Sequence, residues 1–244
     1  MPASIRRPHA ILFDLDDTLW PIAPVIARAE TTLHAWLAAH APKVAARFTI
    51  EQLRARRMAL LEEQPGLIAN LAALRRAGLD EAFAQAGEDA AHIAGAMEHF
   101  LAARNAVTLY EDVLPALAWL KRQPGLKLGV ITNGNADLAA IGHAHHFELA
   151  LAAADFGKAK PDPAIFLAAC AALGVAPRDA IYVGDDLRLD VDGAQRAGLR
   201  AVWLQRHDAG TQAQLAAGVR PDAICADLGE LTAWLAPQLA AGSR

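Results

Sequence analysis

The sequence predicts an α/β fold, a doubly wound parallel sheet with a block of helices inserted into it, and three observations predict it. An apolar run near the N-terminus, Ile11-Leu12-Phe13, breaks off into Asp14-Leu15-Asp16-Asp17-Thr18. From about Pro24 to Ala106 nearly every residue is a helix former, with apolar residues three and four apart. Beyond Asp112, short apolar runs alternate with helical stretches, the texture of repeated strand-helix-strand units whose parallel sheet is covered on both faces.

Taken in order, the first run is a buried strand, because it is continuously apolar and ends in polar residues. The helical block shows its period in Leu33, Trp36 and Leu37, then Leu53, Met58, Leu60 and Leu61, then Ile93, Met97, Phe100 and Leu101. Pro42, the Pro65-Gly66 pair and Gly78 punctuate it into about four helices. Strands follow at Leu128 to Ile131, Leu149 to Ala153, Ala180 to Val183 and Ala201 to Leu204, and a last helix follows Asp227. The simplest division is a core of residues 1–19 and 107–244 with a helical domain of residues 20–106.

Bulk properties exclude several classes. A chain of 244 residues holds one large domain or a core with an insertion, and 54% apolar residues suffice to bury a sheet. The formal charge of -4 is mild and the cations are scattered, so nucleic acid is not an expected partner. No stretch reads as a membrane span or a secretory leader, and a soluble, cytoplasmic protein is expected. Cys170 and Cys225 fall in a helix and a strand outside any C-x-x-C arrangement, which fits buried thiols in a reducing compartment. Oligomeric state has no signature in the sequence.

The chemistry lies where strands end, the place where open α/β sheets bind ligands. Asp14 and Asp16 leave strand one together, so both can address one crevice. Such a pair with Thr two residues on arises by chance in about one chain of this size in twenty. Its partners make it informative. Thr132-Asn133-Gly134 offers a hydroxyl, an amide and exposed backbone N–H groups to an anion. Lys160, followed by Pro161 before a helix start near Asp162, supplies a cation. Gly184-Asp185-Asp186 closes the next strand, with Asp190 about a turn later, and Asp185 and Asp190 are hard oxygen ligands of the kind Mg²⁺ prefers. If the four carboxylates converge, each pair about 5 Å apart repels by roughly 3 kcal/mol at an effective dielectric near 20, so a divalent cation is almost required.

The ordered set Asp14-x-Asp16-x-Thr18, Thr132-Asn133, Lys160-Pro161 and Gly184-Asp185-x4-Asp190 resembles the haloacid dehalogenase (HAD) superfamily, with its Rossmann-type core and a helical cap inserted after strand one. The resemblance spans the core. It implies a Mg²⁺-dependent phosphatase acting on a small phosphorylated metabolite, with Asp14 as nucleophile and Asp16 as acid and then base. It also implies that Thr18, Thr132, Asn133, Gly134 and Lys160 hold substrate. Asp14, Asp185 and the backbone carbonyl of Asp16 would hold the metal, and Asp190 would act through water or behind the other ligands. A phosphomutase shares these residues. A 2-haloacid dehalogenase needs neither metal nor a second acid, so Asp16 argues against it, and a non-catalytic phosphate-binding protein would be expected to lack Asp14 or Asp16. In this family a Ser or Thr often precedes the lysine loop, where this chain has Ala154 and Asp155.

Other residues have simpler readings. Asp17 is expected to satisfy backbone amides, Asp186 to be solvated or to stand behind the metal ligands, and Lys158 to yield to Lys160. His143, His145 and His146 are expected to diverge rather than gather on a metal, and Arg54, Arg56, Arg57, Arg75 and Arg76 to form a solvated face. Trp20 is expected to pack at the hinge or line an entrance.

Overall fold

The computed structural model describes residues 6–206 and 218–240, so Met1–Ile5 of the N-terminal stretch lie outside the described residues. The chain forms two compact units. One comprises Met1–Pro21, Thr108–Thr132 and Gly142–Arg244, and the other Ile22–Val107 and Asn133–Ile141. Among the described residues no helix is long and apolar enough to cross a membrane.

The first unit is built on a six-stranded, wholly parallel sheet. Its strands are β1 (Ala10–Phe13), β2 (Lys127–Thr132), β3 (Leu149–Ala152), β4 (Ala180–Gly184), β5 (Arg200–Leu204) and β6 (Ala223–Cys225), in the spatial order β3-β2-β1-β4-β5-β6. Strand β1 lies between β2 and β4, with Phe13 opposite Val130 on one side and Val183 on the other. All four of its residues are fully buried, which is why the run is apolar without alternation. Strand order reverses at β1, so the carboxyl end of this strand opens onto the crevice of the doubly wound sheet.

Helices close the sheet. One core cluster joins Ala10, Leu12, Tyr182 and Trp203 of the strands to Ile165, Phe166 and Cys170 of a helix at Pro163–Leu173. That helix begins cleanly because Asp162 caps it, accepting from the Ala164 N–H at 2.9 Å, and Pro163 needs no donor partner in the first turn. Helices at Val113–Lys121 and Leu228–Ala240 pack on each other and on β2 and β6. Both cysteines are buried free thiols, and burial pushes each up to about 11.

The second unit is helical. We number its helices α1 (Ile22–His40), α2 (Pro42–Arg47), α3 (Ile50–Glu63), α4 (Leu71–Ala86) and α5 (Ile93–Asn105). Leu33, Leu37, Leu53, Leu79, Phe83, Ile93 and Phe100 form its core, the three-and-four spacing made physical. Helix α3 starts on a reciprocal capping box between Thr49 and Gln52. Gly78 does not punctuate, contrary to the sequence reading. It sits inside α4, where a Cβ would stand 3.0 Å from Arg57 Cγ, so its role is close approach of α3 and α4.

The arginines of this unit also differ from expectation. Buried Glu30 on α1 receives hydrogen bonds from Arg54 and Arg57 of α3 and lies 3.8 Å from Arg75 of α4. The Arg57 and Arg75 side chains are only 12% and 9% exposed, and Arg75 lies 3.5 Å from the Phe100 ring centroid. Burial drives the Arg75 guanidinium down to about 9, with Arg57 adding to the effect. Arg56 and Arg76 do face outward, paired with Glu81 and Glu63 and with Asp80.

Candidate active site

Strand β1 delivers Asp14 to the crevice and keeps it in the sheet for one more bond, since its N–H donates to the Val183 carbonyl at 2.9 Å. The chain then turns sharply. Asp17 adopts a left-handed φ of 57° and its N–H donates to the Trp20 carbonyl at 2.8 Å, a conformation that Asp tolerates better than most residues. The turn brings Trp20 back alongside Asp16, whose Oδ1 accepts from the indole N–H at 2.8 Å. Trp20 is thus buried and engaged with the second acid.

Lys160 is the electrostatic centre of the site. Its buried Nζ donates to Asp14 Oδ1 at 2.5 Å, to Asp190 Oδ1 at 2.7 Å and to the Tyr182 hydroxyl at 2.9 Å. Lys158, its rival from sequence, is exposed and pairs with Asp162 at 3.1 Å. The Lys160–Pro161 peptide is cis.

Beyond β4 the backbone enters a π-helical turn at Leu187–Asp192, capped by Asp186, which accepts from the N–H groups of Arg188 and Leu189. Contrary to the expectation that it is solvated or stands behind the metal ligands, the Asp186 side chain caps this turn. The turn carries Asp190 back over the strand end, where its Oδ2 accepts from the Asp186 N–H at 3.0 Å. Gly184 makes this possible, because a Cβ there would overlap the Asp190 carboxylate. Asp185 remains partly accessible, with Thr18 Oγ1 3.5 Å from its Oδ1.

Asp14, Asp185 and Asp190 each bring a carboxylate oxygen within 4.8 Å of the others, the one such gathering of potential metal-ligating side chains among the described residues. One ammonium faces three buried or half-buried carboxylates, and that imbalance governs where the protons sit. Burial raises Asp14 well above the carboxylate range, with Asp190, Asp185 and Asp16 adding to the rise and Lys160 opposing it. Burial likewise pushes Asp185 up to about 7, with Asp190 and Asp17 contributing. For Lys160 burial works against the charge, but Asp14 and Asp190 outweigh it and hold the ammonium well above the lysine range. The donor set is all carboxylate and carries excess negative charge, so it fits a hard divalent cation such as Mg²⁺.

The sequence-derived set therefore divides. Asp14, Lys160, Asp185 and Asp190 come together, with Thr18 buried beside Asp185. Asp16 lies on the same turn, its carboxylate outside the gathered trio. Thr132 is buried at the end of β2, in register with Ala152 of β3. Asn133 and Gly134 continue from it and are counted with the helical unit. The three histidines do not diverge: ring centroids of His143, His145 and His146 lie 4.0 to 6.4 Å apart. They form no second metal-ligating group among the described residues.

Two residues were missed by sequence. Tyr182 sits in an apolar run where it reads as a strand former, yet its hydroxyl is buried in the site. A buried phenol must find a partner, and that was the available signal. Arg206 had none: it reaches 188 positions back to the Thr18 carbonyl at 2.9 Å, forks onto Asp112 at 3.1 and 3.0 Å and lies 3.9 Å from the Tyr110 ring centroid.

Comparison with known proteins gives consistent results. The model of the haloacid dehalogenase-like hydrolases matches residues 8–198. The 5-amino-6-(5-phospho-D-ribitylamino)uracil phosphatase of Escherichia coli is 33% identical over 208 residues, 82% of this chain and 85% of that one. Among solved structures, a 2-haloacid dehalogenase from Pseudomonas syringae pv. Tomato superposes with a TM-score of 0.80 at 39% identity, covering 95% of this chain and 97% of that one. A HAD phosphatase from Thermococcus onnurineus gives 0.65 at 26% identity, covering 93% and 97%.

Proposed function

The chain belongs to the haloacid dehalogenase-like hydrolases, and from that premise we propose that it is a Mg²⁺-dependent phosphatase of a small phosphomonoester, working through an aspartyl-phosphate formed on Asp14. The observation that carries the reading is the pairing of a Lys160-bound Asp14 with a second carboxylate, Asp16, on the same turn. The kinship to a phosphatase over most of both chains supports it.

In this mechanism the Asp14 carboxylate attacks phosphorus and the bond from phosphorus to the ester oxygen breaks. Asp16 gives its proton to the departing oxygen. Asp16 then takes a proton from water, the hydroxide oxygen bonds to phosphorus, and the bond to Asp14 breaks to release phosphate, so one residue serves as acid and then base. Lys160, Thr132, Asn133, Gly134 and Thr18 offer donors to the phosphoryl oxygens, where charge develops. Held by Asp14, Asp185 and the Asp16 carbonyl, with Asp190 acting through water or behind them, Mg²⁺ would supply the positive charge that lets an anionic carboxylate and an anionic phosphate approach. The indole N–H of Trp20 orients Asp16 by occupying its Oδ1. The helical unit takes the part of the cap, and the protein is expected to work in the cytoplasm.

A second reading has one specific observation behind it, the 39% identity to a protein described as a 2-haloacid dehalogenase. Displacing halide from carbon needs no proton donor for the leaving group and no cation to offset a phosphate, and here both Asp16 and the acidic trio are present. A single comparison decides. Phosphate release from p-nitrophenyl phosphate with Mg²⁺ and with EDTA is measured beside halide release from 2-chloropropionate. The phosphatase reading expects the first, abolished by EDTA; halide release without phosphate release sinks it.

A further inference from the structure

Tyr182 holds a position in the site that the reaction scheme does not use. Its side chain is fully buried on β4, and the Phe166 ring packs edge-on against it at 5.0 Å and 81°. The hydroxyl donates to the Ile131 carbonyl at 2.9 Å and accepts from Lys160 Nζ at 2.9 Å. These two bonds fix a direction. Because the phenol's proton is committed to a backbone carbonyl, the oxygen meets the ammonium only with lone pairs. Lys160 has three N–H bonds, and Tyr182, Asp14 and Asp190 are three acceptors placed around them.

The carbonyl partner matters as much as the ammonium. Ile131 immediately precedes Thr132, so the phenol ties Lys160 to the end of the strand that carries the second phosphate-binding group. A purely structural residue here would be Phe, which fills the same apolar volume and needs no hydrogen-bond partner. Retaining a buried hydroxyl creates a demand for two partners, and both belong to phosphate-binding segments.

We propose that Tyr182 is a positioning residue for phosphoryl transfer, acting through Lys160 and the β2 terminus to hold the ammonium and Thr132 at a fixed separation. The proposal rests on the phosphatase reading, and it concerns rate more than ground-state binding. Without the hydroxyl, Lys160 loses an acceptor on the β4 side and the Ile131 carbonyl loses the phenol's donation, so the charge meant for the transferring phosphoryl group is held less firmly.

The test compares Tyr182→Phe with wild type on p-nitrophenyl phosphate in saturating Mg²⁺, alone and combined with Lys160→Met. Tyr182→Phe should lower kcat about tenfold or more while KM changes by less than about threefold, and in the Lys160→Met background it should cost less than about twofold. An unchanged kcat, or losses that multiply in the double variant, overturns the proposal. A second measurement covers poor folding of either variant. The chain has two tyrosines, and the Tyr110 hydroxyl is buried without a hydrogen-bond partner among the described residues, so Tyr110→Phe grown on 3-fluorotyrosine carries one fluorine label, at Tyr182. Its ¹⁹F resonance should shift when orthovanadate and Mg²⁺ are added; a resonance that ignores them overturns the proposal as well. Wild-type protein that releases no phosphate from any ester defeats the phosphatase reading itself, a result separate from a normal Tyr182→Phe.

Discussion

Asp14 carries the largest burden of any single residue, since it is buried among other acids, pushed toward protonation by that burial, and held by one ammonium. Asp14→Asn removes the carboxylate proposed as nucleophile and, with it, a source of repulsion among the acids. Phosphate release should fall by about a thousandfold or more, while the melting temperature in EDTA should equal or exceed that of wild type, because fewer charges crowd the strand ends. A variant that melts well below wild type without metal would show instead that the Lys160 bond outweighs the repulsion. The site was legible at this scale because hard-acid chemistry uses few residue types at strand ends, and Asp14, Asp185 and Lys160 announce themselves in sequence. Tyr182 did not, since a tyrosine between isoleucine and valine is also what an ordinary strand contains.

Among the elements, the turn after β1 is held by a residue far along the chain. Arg206 binds the Thr18 carbonyl and Asp112, and Asp112 in turn accepts from the Leu228 N–H at 2.7 Å, so one guanidinium links the turn after β1 to two helix starts. Arg206→Met should lower stability by about 2–4 kcal/mol, because it strands a half-buried carboxylate, and should lower kcat by freeing the turn; denaturant melts and steady-state kinetics check the two effects. In the helical unit, Gly78→Val should destabilise by about 1–3 kcal/mol through collision with the Arg57 stem, read from the same melts. Both features explain where sequence reading stops. Apolar period and caps locate α1, α3 and the helix after Asp162, but no local pattern shows that Gly78 serves a neighbouring helix or that position 206 serves position 18.

For the whole molecule, the carboxylate excess should make stability depend jointly on pH and, under the proposed function, on Mg²⁺. Asp185 has an ordinary value of 3.8 and a folded value of about 7. Between those values the folded protein holds a proton that the unfolded chain releases. The stabilisation is therefore fully present below about pH 4 and is lost as pH rises through 7. In EDTA the melting temperature should drop by several degrees between about pH 5.5 and pH 8, at about 2–4 °C per kcal/mol for a chain of this size, and Mg²⁺ should restore it mainly at the alkaline end. Equal stabilisation by Mg²⁺ at both pH values would mean that Asp185 is not the ligand that exchanges proton for metal. The architecture was more legible than the chemistry of individual contacts. Alternating strand and helix texture is enough to imply a parallel sheet, and the position of β1 at its centre follows from where Asp14 must stand to meet Asp185.

That central position sets the timing of assembly. Residues 10–13 leave the ribosome before the other strands of the sheet, and their ladder partners are residues 127–130 and 180–183, more than a hundred positions later. Helices α1 to α5 contact one another within a single stretch and can gather locally. Strand β1 can pair on one side once β2 has been made, but its other side must wait for residues 180–183, beyond the lysine loop. Asp14 therefore meets Asp185 and Asp190 only late in folding, when Lys160, the cation that tames it, has already been made.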